Sequence, residues 1–317
     1  MRRALAALAV LAVAGCGGAK HATFTNPVYP RDFPDPFVLK ADGTYYAYAT
    51  NGNGANIQTA TSKDLVHWKP GPDAIPKLGA WAQPSQTWAP EVLARDDGTY
   101  VLYYTASAGQ QCVGRALSKT PQGPFVDSWT APLVCQHSDG GSIDPSPFRD
   151  SDGRLYLYWK NDGNSLGEPT KIWAQRLSAD GTQLVGAAVA TGETNDQVWE
   201  ANVVEGPVMW KHDGRYLLFY SGGNYADDTY GVGYATCKGP LGPCTDSPGN
   251  PILKTKCRAH GPGHNALIEV DGQTWIVYHA WRPNHAGDER ELWIDRLDWA
   301  NGKPVVHGPT CTAQPAP

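Results

Sequence analysis

The chain is poor in phenylalanine and methionine, with Phe 6 and Met 2 among 317 residues. It holds no block of basic residues, and Lys+Arg 26 against Asp+Glu 31 leaves a net charge of −5, so a nucleic-acid footprint is missing. No Cys-x-x-Cys pair occurs, which removes a common structural zinc pattern. Past the N-terminal segment, helical spacing of apolar residues is never sustained for ten residues, and no apolar run is long enough to cross a bilayer. What is abundant points elsewhere. Gly 35 and Pro 26 imply many turns, while Trp 12 and Tyr 15 supply flat rings with a hydrogen-bonding edge, suited to a polar ligand. With 41% hydrophobic residues, the composition is that of one turn-rich, all-β globule. No linker or composition shift marks a second domain.

Met1-Arg2-Arg3, an apolar run from Ala4 to Ala14 and then Gly15-Cys16 form an export signal over residues 1–15, too short to span as a helix. Val13-Ala14-Gly15-Cys16 resembles the lipobox of bacterial lipoproteins, which implies a lipidated Cys16 and a tether over 16–23 containing Gly17-Gly18-Ala19. The alternative is an ordinary cleaved signal with an incidental cysteine. Either way the protein is expected to be exported, as a cell-surface lipoprotein or in secreted form. Membrane contact is then expected only through a lipid anchor. Cys 7 less Cys16 leaves six, an even number in an oxidising compartment. Six cysteines allow 15 pairings. Proximity in the chain suggests Cys112–Cys135 and Cys237–Cys244, leaving Cys257 with Cys311 to tie the C-terminus to the body.

An internal repeat carries most of the information. Asp42-Gly43-Thr44-Tyr45-Tyr46 returns as Asp97-Gly98-Thr99-Tyr100-Val101, Asp152-Gly153-Arg154-Leu155-Tyr156, Asp213-Gly214-Arg215-Tyr216-Leu217 and Asp271-Gly272-Gln273-Thr274-Trp275. Asp-Gly between apolar, β-branched or aromatic runs is a strong hairpin signal. The glycines lie at 43, 98, 153, 214 and 272, so successive intervals are 55, 55, 61 and 58 residues. Strand-built repeats of that period mean a propeller. Four strands in each of five copies predict a single-domain, five-bladed β-propeller over 24–317.

Alignment on the turn glycine places Asp35, Ala89, Asp144, Glu205 and His264 eight or nine residues before it. The innermost strand of every blade starts around one axis, so these five should converge on one funnel. Asp-Pro and Glu-Gly-Pro are also ordinary loop openers. Their coincidence at one repeat position favours use over structure. Carboxylates confined together repel, so one should keep its proton near neutral pH while another stays ionised. Hydrolysis of a glycosidic bond needs that division of labour.

Phe33-Pro34-Asp35-Pro36-Phe37, Trp88-Ala89-Pro90-Glu91, Ser142-Ile143-Asp144-Pro145, Val204-Glu205-Gly206-Pro207, Gly263-His264-Asn265 and the stretch from Ser62 to Trp68 together resemble glycoside hydrolase family 43. The resemblance covers nearly the whole chain after the signal and implies an inverting mechanism. It implies Asp35 as the general base that activates water, Glu205 as the general acid, and Asp144 as the carboxylate that orients the acid and raises its pKa. His264 matches a residue that in many members ligates a water-shielded Ca²⁺ on the axis. Its other reading is a hydrogen-bonded axial histidine without an ion. No other cofactor is implied. Trp88 is expected to wall the sugar pocket, and Arg290 resembles an arginine of the last blade that reaches a substrate hydroxyl or a catalytic carboxylate. Asp32 and Glu200 miss the shared offset and are left outside the catalytic set, and Trp81, Trp159 and Trp281 stay unassigned.

Members of the family cleave arabinofuranosides, arabinans, β-xylosides and some galactans. The family's two-domain β-xylosidases carry a C-terminal β-sandwich, whereas only about 20 residues follow Trp299 here. The expected substrate is therefore an oligo- or polysaccharide with α-L-arabinofuranosyl linkages, arabinan or arabinoxylan, cleaved by a monomer. The alternatives are a β-xylosidase with the same carboxylates, and a non-catalytic glycan-binding propeller. A retaining β-fructosidase-type propeller is disfavoured, because that group places Arg before the second Asp-Pro and Ile143 stands there.

Overall fold

The computed structural model describes residues 22–282 and 289–317. The export segment 1–15, Cys16 and the tether up to residue 21 lie outside them. Five antiparallel sheets follow one another along the chain, each starting from its innermost strand. The first blade consists of Phe37–Ala41, Thr44–Ala49, Gln58–Ser62 and Trp68–Pro70. The second has Gln83–Ala94, Tyr100–Ser107 and Gln111–Ser118. The third runs through Ser142–Arg149, Leu155–Asn161, Lys171–Leu177 and Leu184–Thr194. Val204–His212, Arg215–Gly222, Gly231–Cys237 and Cys244–Asp246 form the fourth, where Leu253–Lys254 also pairs with Gly231–Cys237. His260–Val270, Gln273–Trp281, Arg290–Ala300 and Lys303–Val306 form the fifth.

Four strands per blade are therefore not reached in the second. Its last strand makes only single bridges beyond the sheet among the described residues: Gln111 with Gly141, Val113 with Val134 and Leu117 with Val126. Pro121, Pro124 and Pro132 lie in the segment after it, and proline offers no N–H to a ladder.

Turn chemistry sets the blades in register. In the first, fourth and fifth blades the hairpin loop is Asp-Gly alone, with both residues left-handed, as at Asp42 (φ 47°) and Gly43 (φ 66°). This is the two-residue turn that matches strand twist. In the second and third blades Arg95 N–H meets Thr99 O, and Asp150 N–H meets Arg154 O, so the loop holds three residues. There the aspartate accepts from the backbone two residues on, as Asp97 Oδ1 does from Thr99 N–H at 3.0 Å.

Apolar faces bury themselves between blades. One cluster joins Ala47 and Val38 of the first blade to Val277 and Ile294 of the fifth, and four more fill the remaining seams. The ends of the chain close the ring: Thr23–Phe24 pairs with Gln314–Pro315, and Asn26 exchanges two bonds with the backbone of Ile294, at 2.8 and 3.1 Å. Cys112 is bonded to Cys135, Cys237 to Cys244, and Cys257 to Cys311.

Candidate active site

At the start of each inner strand one residue adopts a left-handed conformation: Asp35, Ala89, Asp144, Gly206 and His264, with φ between 45° and 57°. Non-glycine residues seldom adopt such angles, and they persist where surrounding contacts enforce them. Here the N–H leaves the strand ladder and bonds to a side chain of the preceding blade. Ala89 N–H donates to Thr50 Oγ1 (2.9 Å), Asp144 to Thr105 Oγ1 (3.1 Å), His264 to Ser221 Oγ (2.7 Å), and Asp35 to His279 Nδ1 (3.0 Å). Gly206 N–H instead bonds to Asp144 Oδ2 at 3.0 Å.

The ring corrects one expectation. Glu205 does not occupy the same position as Asp35 and Asp144; Gly206 does. An offset of nine from the turn glycine holds for three-residue loops, whereas the fourth blade has a two-residue loop and needs eight. Glu205 belongs to the preceding position, paired with Ser221 as Trp88 pairs with Thr105 and Ile143 with Lys160. The two adjacent rings still bring the predicted residues together. Asp35, Trp88, Asp144, Glu205, His264 and Arg290 line one cavity of about 380 Å³ at the axis.

Four acceptors of the ring belong to a second repeat, seven residues after every turn glycine: Thr50, Thr105, Ser221 and His279, with Lys160, a donor, at the same place in the third blade. Sequence reasoning passed over them, although a lysine after Tyr158-Trp159 in an apolar strand was a visible signal. Lys160 is fully buried, and its Nζ donates to Asn164 Oδ1 at 2.7 Å and meets Glu205 Oε2 at 3.3 Å. Tyr230 also escaped notice; its hydroxyl donates to Glu205 Oε1 at 2.6 Å. Tyr225 and Asp162 reach the cavity from loops that the repeat does not cover.

Electrostatics divide the carboxylates. Burial works to raise Asp35, but Arg290, whose Nη1 stands 3.0 Å from Oδ1, and His264 outweigh it and hold the group well below the usual range. Thr50 donates to its other oxygen. His279 accepts the Asp35 N–H at Nδ1, so that ring is neutral and its 3.3 Å approach to Oδ1 is no ion pair. Burial, with Arg290 and His264 adding to it, brings His279 down to about 4 against the pull of Asp35. Burial, together with Glu205, pushes Asp144 up to about 6 against the pull of His264. Glu205 goes the other way: burial would raise it, and Lys160, with the Tyr230 hydroxyl, brings it down. Burial and the surrounding charges thus push the two neighbouring carboxyl groups apart, Asp144 up and Glu205 down.

The remaining residues have defined places. Asp32 Oδ1 accepts the Arg290 N–H at 3.0 Å and so braces the arginine, which lies over the rings of Tyr225 and Trp281. Trp81 donates to Asp127 at 2.9 Å in the seam of the first and second blades, and Trp159 is buried in the next seam. Glu200 sits away from the cavity, on the turn Val198–Glu200. Calcium prefers oxygen ligands. His264 directs Nδ1 toward Asp35 Oδ1 at 3.4 Å, and no set of three acidic, histidine or cysteine ligand atoms includes it among the described residues. An axial Ca²⁺ would depend on one imidazole and water, a poor fit, and no chemistry is assigned to it.

The family model for glycosyl hydrolases family 43 matches residues 24–304. A β-D-galactofuranosidase of Aspergillus niger is 31% identical over 290 residues, covering 86% of this chain and 81% of its own. A xylosidase/arabinosidase of Butyrivibrio fibrisolvens is 26% identical, and the chain spans 56% of its length. The solved structure of a thermostable family-43 glycoside hydrolase superposes with a TM-score of 0.85 at 34% identity, over 93% of this chain and 99% of that one. On these grounds the chain belongs to glycosyl hydrolases family 43 and is a five-bladed β-propeller enzyme acting on glycosidic bonds.

Proposed function

We propose that the protein is an inverting hydrolase of α-L-arabinofuranosyl linkages in arabinan or arabinoxylan, with Asp35 as base, Glu205 as acid and Asp144 as partner of the acid. The observation that carries this reading is three carboxyl groups on one axial cavity with different partners: Asp35 faces Arg290 at 3.0 Å, Glu205 faces Lys160 at 3.3 Å, and Asp144 faces neither. Asp35, ionised and fixed through both oxygens, takes a proton from a water while that water's oxygen attacks the anomeric carbon. The bond from that carbon to the leaving oxygen breaks, and Glu205 supplies the proton that oxygen needs. A proton passed from Asp144, the more readily protonated of the two, to Glu205 arms the acid. Base and acid on opposite faces of the sugar invert the anomeric centre. Trp88 offers a flat wall for the C–H face of the sugar. Named relatives support a five-membered ring sugar: one acts on β-D-galactofuranosides, and an extracellular exo-α-(1→5)-L-arabinofuranosidase of Cellvibrio japonicus is 26% identical over 95% of this chain.

A β-xylosidase with the same carboxyl groups is the second reading, supported by the xylan 1,3-β-xylosidase of a Vibrio species at 28% identity. Export follows from the signal-like residues 1–15, with Cys16 as the lipidated residue of an anchored form. Product analysis after incubation with linear arabinan, arabinoxylan and xylo-oligosaccharides tests the substrate, with Glu205→Ala as control. Arabinose or arabino-oligosaccharides from the wild type alone are expected. Xylose alone would move the assignment to a xylosidase, and no product from any of the three would refute both.

A further inference from the structure

Away from the axial cavity, the seam between the third and fourth blades gathers three carboxyl groups. Glu193 comes from the outer strand Leu184–Thr194, Asp246 from the outer strand Cys244–Asp246, and Glu200 from the turn between the two blades. One oxygen of each lies within 4.8 Å of the others. Glu193 is 2% exposed and Glu200 fully buried, while Asp246 is half-buried and gives water a way in.

The donors around these groups are too few. Gln197 N–H bonds to Glu200 Oε2 at 2.8 Å. Tyr220 Oη lies 2.7 Å from Glu200 Oε1 and 2.8 Å from Asp246 Oδ1, but its one proton serves only one of them. Asn250 is spent on the Tyr220 oxygen at 3.1 Å. Glu193 Oε1 is buried and has no hydrogen-bond partner among the described residues. Among the described residues no Lys, Arg or His comes within ion-pair distance of any of the three. A buried carboxylate left this way is costly unless something neutralises it.

We propose that Glu193, Glu200 and Asp246 form a calcium site that pins the third blade to the fourth. All three donors are oxygens, the ligands of a hard cation. An equilateral triangle with a 4.8 Å edge has its centre at edge/√3, about 2.8 Å from each corner, slightly outside the roughly 2.3–2.6 Å of a Ca–O bond. Small side-chain movements close that gap, whereas Mg²⁺ at about 2.1 Å would need larger ones. Water through the Asp246 side completes the shell. The Cys237–Cys244 bond holds the strand of Asp246 in place. The competing occupant is a proton, because burial and the neighbouring Asp246 push Glu193 up to about 10.

The test uses the full exported chain stripped with EDTA. Terbium luminescence excited through tryptophan reads occupancy, since the Trp199 ring lies 5.7 Å from that of Tyr220. Terbium emission that calcium displaces is expected, with a rise in Tm of about 4–8 °C at calcium a hundredfold above Kd. Glu193→Gln and Asp246→Asn should each lose both responses and keep full hydrolytic activity. A wild type that shows neither response overturns the site, as does a calcium response that survives in both variants. A Glu193→Gln protein more stable than the wild type in calcium identifies a shared proton instead, and also overturns it.

Discussion

Lys160→Met removes the charge that faces Glu205 at 3.3 Å and keeps an unbranched chain in its place. Neither group is well solvated, with side-chain exposures of 0% for Lys160 and 14% for Glu205, so water screens the pair little. An opposite charge at such a distance moves a carboxyl by roughly 1–3 pKa units, about 1.4 kcal/mol each. The acid must be protonated to work, so kcat/KM falls as pH rises through the range in which Glu205 loses its proton, a range that Lys160 holds down. Without Lys160 the charged form of Glu205 loses its partner, and the alkaline limb should move up by about 1–3 pH units. The assay is kcat/KM against pH on arabino-oligosaccharides, whose poor leaving groups demand the proton. Lys160→Arg, which keeps the charge, should leave the limb near its original place. A limb unmoved in a folded Lys160→Met protein, or moved equally by Arg, would refute the electrostatic reasoning.

Asp35→Ala should abolish turnover on natural and activated substrates alike, because the water loses its base; retained turnover on either removes Asp35 from that role. Arg290→Ala takes away the charge 3.0 Å from Asp35, so the base should ionise at higher pH and the acidic limb of the same profile should shift upward. An acidic limb that stays put would show that Arg290 does not hold Asp35 ionised. Peptide mapping of a non-reduced digest should recover Cys257 linked to Cys311, and a free thiol at either position contradicts that bond.

The fold was legible because the same physical device recurs. Asp-Gly turns between aromatic and β-branched runs announce hairpins at a fixed period, and strands of that spacing close into a ring. The site was legible at Asp35, Asp144 and His264, where the repeat offset follows the loop length. Glu205 was found for a mistaken reason: its offset of nine ignored that the fourth blade has the shorter loop, and the left-handed position belongs to Gly206. Lys160 and His279 were overlooked because the comparison covered only the strand before each turn. The same count applied after the turn reaches them at seven residues. Tyr230, Tyr225 and Asp162 had no such signal. They enter from the loops between the second and third strands of the third and fourth blades, and only the folded chain brings them to the axis. The charge that faces Glu205 likewise comes from a buried lysine 45 residues away in the chain.

Glu205→Ala separates acid catalysis from every other role this residue could have. The variant should lose roughly 10²–10⁴-fold in kcat on linear arabinan, the scale of a missing general acid. On an aryl arabinofuranoside whose leaving group needs no proton it should lose far less. Equal losses on the two substrates would contradict the assignment of Glu205, and with it the division of the axial carboxyl groups into base and acid.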